Sequence, residues 1–96
     1  MLLFENEFCR VWHLSLEPGD ASPWHQHTCD YVYVVTQTTA VYTQFENGDC
    51  EFQNDAPVGT AVYHTVGKPH RLVNAGDGRY ENIIVELKIK AGQDGC

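Results

Sequence analysis

Short apolar or alternating segments separated by turn residues recur along this chain, which is the pattern of strands that bury one face. From Arg10 onward, Trp12, Leu14 and Leu16 fall on one side and Val11, His13 and Ser15 on the other, predicting a half-buried strand. Tyr31 to Val35 is wholly aromatic or β-branched and continues through Thr36, Thr38 and Thr39, the strongest strand signal in the sequence. Further strands are predicted from Ala40 to Phe45, Cys50 to Gln53, Thr60 to Thr65, His70 to Asn74 and Tyr80 to Lys88. The turns between them read as Glu17-Pro18-Gly19-Asp20, Glu46-Asn47-Gly48-Asp49, Asn54 to Gly59, Val66 to Pro69 and Ala75-Gly76-Asp77-Gly78. Asn47-Gly48 is the pair that favours a two-residue hairpin loop. No segment carries a helical period, so the expectation is an all-β sandwich or barrel.

With 96 residues the chain makes one domain, and its burial is marginal enough for a metal or a second copy to matter. The expected core covers about residues 10–88, with an arm over 1–9 and a frayed tail over 89–96. Hydrophobic residues at 43% exclude global disorder. Thirteen acidic against six basic residues give a formal charge of −7, which repels phosphate backbones and anionic head groups; no nucleic acid and no membrane is expected as partner. The start lacks a basic leader and no apolar run approaches a span, so the expected location is cytoplasmic. Cys9, Cys29, Cys50 and Cys96 form no CxxC pair and are expected to be reduced. Leu2, Leu3, Phe4 and Phe8 have little core to occupy, which predicts packing against a symmetry mate in a homodimer.

The chemistry concentrates in Trp24-His25-Gln26-His27-Thr28-Cys29-Asp30 and in Gly67-Lys68-Pro69-His70-Arg71-Leu72-Val73-Asn74. Histidines two apart share a face only on a strand, so His25 and His27 converge. His70 opens its own strand, and three imidazoles with the Asp30 carboxylate make a set that suits one divalent transition metal. Cys29, between His27 and Asp30, reads chiefly as a small packed side chain, with a thiolate or redox role as the alternative.

These two stretches resemble the two motifs of the cupins. Gly19, five residues, then His25-x-His27 and a nearby acid is similar to the first motif. Gly59, five residues, Thr65 where proline is usual, then Gly67-x-x-His70-x-x-x-Asn74 reproduces the second. The resemblance runs from about Val11 to Lys88 and implies a single cupin barrel, a jelly-roll-like double-stranded β-helix. It also implies His25, His27 and His70 as metal ligands with an acid as the fourth. The usual acid is a glutamate four or five residues after the second histidine, where Tyr31 and Val32 stand; Asp30, immediately before its apolar strand, is taken as its replacement. That H-x-H-x-x-D-Y-V pattern resembles a subgroup of small bacterial cupins, among them proteins associated with β-alanine degradation.

Three imidazoles and a carboxylate leave open positions on Fe, Mn, Ni or Co, and Zn also fits, so the expected cofactor is one such ion. The expected function is a metal-dependent enzyme acting on a small polar metabolite in the barrel, with oxygenase, isomerase, lyase or decarboxylase chemistry open. The alternatives are a small-ligand binding or sensing module and a barrel stapled by a structural metal. His64 is the candidate catalytic acid or base. Asn74 is expected to support the ligating imidazoles, Arg71 to point away from the pocket, and His13 to be an ordinary strand residue.

Overall fold

The computed structural model describes residues 1–25, 29–53, 57–65, 67 and 69–88. Eight strands follow in chain order: β1 (Leu2–Glu5), β2 (Cys9–Leu16), β3 (Asp30–Gln37), β4 (Val41–Phe45), β5 (Cys50–Gln53), β6 (Ala61–His64), β7 (His70–Asn74) and β8 (Tyr80–Leu87). There is no helix among the described residues. None is therefore long and apolar enough to cross a membrane. The expected all-β class is correct. The Thr-rich extension of β3 stops at Gln37, short of Thr38 and Thr39.

The strands form two sheets, ordered β1-β2-β8-β3-β6 and β5-β4-β7, with every neighbouring pair antiparallel. Alternation decides what lies between the sheets. On the larger sheet His64, Tyr31, Glu86 and Arg10 stand side by side across β6, β3, β8 and β2; the next inward row is Val62, Tyr33, Ile84 and Trp12, and the next Val35, Asn82 and Leu14. Tyr31, Tyr33, Val35, Val41 and Tyr80 form the buried core, with Leu14, Val62, Leu72 and Ile84 packed against them. Tyrosines here do part of the work of aliphatic residues, each bringing a large apolar ring and a hydroxyl.

Two local features differ from the sequence reading. The β4–β5 connection is a three-residue loop: Gly48 N–H donates to Phe45 O (2.9 Å), Phe45 N–H donates to Asp49 O (2.8 Å), and Gly48 sits at φ +96°. The loop is closed by a left-handed glycine, an alternative to the two-residue loop that an Asn-Gly pair also suits. The arm is also more than an arm, since β1 adds to the edge of β2 with a register shift between Leu2 and Phe4. Leu2, Leu3, Phe4 and Phe8 nonetheless remain exposed. The tail over 89–96 lies outside the described residues.

Cys9 and Cys50 carry free thiols, as expected. Cys29 is fully buried and disulfide-bonded, where a reduced thiol was expected.

Candidate functional site

The segment before β3 runs alongside β7 as an additional edge of the smaller sheet. Ser22 N–H donates to Leu72 O (2.8 Å), and Ser22 Oγ accepts from Leu72 N–H (2.9 Å). Farther along, His25 and His70 exchange both backbone hydrogen bonds, at 2.9 and 2.8 Å. Directly opposed residues on antiparallel segments bring their side chains together, and the two imidazoles meet edge to face with centroids 4.5 Å apart. His25 Nδ1 lies 2.8 Å from Pro23 O, so it carries the proton donated to that carbonyl. That bond fixes the ring and leaves the imidazole lone pair on Nε2, a tautomer that suits metal ligation.

Both rings line a cavity of about 440 Å³ between the sheets. His64, Tyr31 and Glu86 line it from the larger sheet. His64 stacks on Tyr31 and Tyr33, with centroids 5.4 and 5.6 Å away and ring planes 22° and 13° apart. Glu86 Oε1 accepts from Trp12 Nε1 (2.5 Å) and pairs with Arg10 Nε at 3.3 Å. Burial is the main cause that pushes the Tyr31 hydroxyl up to about 12, with Tyr33 adding to it. Burial raises the Tyr80 hydroxyl as well.

The predicted site residues fare differently. His25 and His70 are brought together, and His64 shares their cavity. His27 lies outside the described residues. Asp30 is not brought to the cavity: it is buried, but alternation puts it on the opposite face of β3 from Tyr31, and its Oδ2 accepts from the Tyr63 hydroxyl at 2.5 Å. That hydrogen bond is the main cause raising the Tyr63 hydroxyl above its ordinary value. Among the described residues, no group of three His, Cys, Asp or Glu is close enough to hold an ion.

Asn74 also plays a different part from the one expected. Its Nδ2 donates to the carbonyls of Leu16 (2.9 Å) and Gly78 (2.8 Å), and its Oδ1 accepts from Gly76 N–H (2.9 Å). It pins the β7–β8 turn to the end of β2 and bonds to no imidazole. Arg71 does point away, stacking its guanidinium 4.8 Å from the Trp24 ring and donating from Nε to Gln44 Oε1 (2.8 Å). His13 pairs with Glu81 at 2.8 Å, as an ordinary strand histidine. Glu86 and Asn82 escaped the sequence reading; the inward phase of Asn82, Ile84 and Glu86 was the only signal for them.

No protein-family model matches the sequence, and no curated protein matches it. Solved structures do. A cupin domain from Bordetella pertussis Tohama I superposes with a TM-score of 0.80 at 23% identity, covering 93% of this chain and 91% of that one. An RmlC-like cupin family protein with a double-stranded β-helix fold from Methanocaldococcus jannaschii gives 0.72 at 16% identity, covering 90% and 75%. An uncharacterized conserved protein with a double-stranded β-helix domain from Klebsiella pneumoniae gives 0.73 at 18%, covering 99% and 81%. The chain thus has the cupin fold, the double-stranded β-helix.

Proposed function

We infer that this chain is a metal-binding cupin in which His25, His27 and His70 hold one divalent transition ion, and that it acts on a small polar metabolite bound in the cavity. The observation that carries this reading is the pairing of His25 with His70 at the cavity wall, with the His25 Nδ1 proton committed to Pro23 O. When bound, Fe, Mn, Ni, Co or Zn supplies Lewis acidity, and iron or manganese also supplies redox chemistry.

The remaining roles fall to the protein. The aromatic walls exclude water from the bound metabolite, and Tyr31 stays protonated and donates a hydrogen bond. His64, stacked between cavity wall and solvent, moves a proton to or from the metabolite. In this reading the chain sits with the small bacterial cupins of the H-x-H-x-x-D-Y-V pattern, in the cytoplasm and as a homodimer.

The test is metal analysis of the purified full chain, with a His25→Ala, His70→Ala double variant alongside. Near-stoichiometric metal in the native chain and its loss in the variant is the expected result. A native chain that takes up none of these ions overturns the assignment. Metabolite binding that proceeds without any product identifies the sensing or binding alternative.

A further inference from the structure

Two asparagines are buried in the barrel, and they are used differently. Asn74 commits its whole amide to the three backbone bonds already described. Asn82, 4% exposed, donates from Nδ2 to Tyr80 Oη (3.1 Å), while its Oδ1 is buried and accepts from no donor among the described residues. Reversing the amide would offer Oδ1 to the Tyr80 hydroxyl and strand Nδ2 instead, so either orientation keeps one polar atom in reserve. Native proteins seldom leave a buried amide atom without a protein, water or ligand partner.

The surroundings say what that partner is. Asn82 lines the same cavity as the histidines, with Leu14 of β2 and Val35 of β3 as its cross-strand neighbours. It lies roughly 13 Å along β8 from Glu86, four residues at about 3.3 Å each. The walls near it are Leu14, Ile84, Tyr33 and Tyr80, apolar or aromatic. A polar group set among apolar walls, in a cavity that His25, His64, His70 and Glu86 also line, helps to fix the orientation of a bound ligand.

We propose that Asn82 recognises the far end of a ligand in this cavity, its Oδ1 accepting a hydrogen bond from a hydroxyl or amino group carried on an apolar or aromatic body. The proposal rests on the cavity being a ligand chamber, as in the function inferred above, but not on the metal.

The test uses the full chain treated with chelator, titrated with phenol and with toluene as probes by ligand-observed NMR. The probes match in shape and differ in a hydroxyl against a methyl. Phenol is expected to bind about three- to tenfold more tightly than toluene, the worth of one hydrogen bond in this setting. Asn82→Leu is expected to abolish or invert that preference while still binding toluene, and to melt at or above the native temperature, because it removes a stranded polar atom. Asn74→Leu, which strands three backbone partners, is expected to melt well below it.

Equal binding of the two probes overturns the proposal, and that comparison needs no variant. So does binding of neither probe, a phenol preference that survives in Asn82→Leu, or an Asn82→Leu chain that melts as low as Asn74→Leu or fails to fold. The last result would assign the amide to a structural water. Because metal is absent throughout, failure here and failure of the metal assignment are read separately.

Discussion

His25 and His70 face each other across a two-bond backbone bridge, and their rings touch edge to face at 4.5 Å. The bridge makes the site a property of how the 20–25 segment lies on β7, and Ser22 is its nearest reinforcement, bonded to Leu72 through both N–H and Oγ. Ser22→Ala removes the acceptor for Leu72 N–H. It is expected to cost about 1 kcal/mol of stability and to weaken metal retention, checked by urea unfolding and by competition with a chelator.

Asp30→Asn separates the two roles considered for that residue. The Asp30 carboxylate is buried and accepts from Tyr63, and its replacement is expected to cost about 1–3 kcal/mol. Metal content per chain should stay at the native level. Tyr63→Phe should show the same pattern with a smaller loss. Loss of metal in Asp30→Asn, measured on protein that remains folded, would make Asp30 a ligand.

Alkaline unfolding should report on Tyr31. Its hydroxyl ionises near 10 in the unfolded chain and is pushed up to about 12 in the fold, chiefly by burial. The folded state therefore favours the protonated form. The resulting stability is fully present below pH 10 and is lost as pH rises toward 12. Tyr63 and Tyr80, both raised, act in the same direction. Stability of the chelated chain is expected to fall by roughly 2–3 kcal/mol over that window on account of Tyr31, and Tyr31→Phe should flatten the profile.

The apolar side chains of β1 predict self-association. Leu2, Leu3, Phe4 and Phe8 stay exposed although β1 is paired with β2 on one side, and its outer edge is an unprotected strand. Sedimentation velocity is expected to give the mass of a dimer for the native chain and of a monomer for Phe4→Glu. A monomeric native chain would show that the exposed arm is not an interface between copies.

Strand positions were legible in the residues themselves. Trp12, Leu14 and Leu16 face inward because a strand alternates, and the Tyr31–Val35 run has no other place to go than a core. The phase of β3 was equally available: Asp30 precedes Tyr31 by one residue, so both cannot face the same cavity. The partner that Asp30 meets, the Tyr63 hydroxyl, is set by the pairing of β3 with β6 and is not legible locally. Likewise Asn47-Gly48 marks a turn by its chemistry, but the number of residues in the loop depends on the register of β4 and β5.

The sequence by itself determined an all-β chain, its turns, and a family resemblance resting on His25-x-His27 and Gly67-x-x-His70, because local sterics and a period of two act over a few residues at a time. The tertiary structure alone decided that His25 opposes His70, that the Tyr63 hydroxyl donates to Asp30, and that Asn74 spends its amide while Asn82 keeps an atom in reserve. Those relationships join residues distant in the chain, and they exist only after β8 inserts between β2 and β3 and the segment before β3 docks on β7.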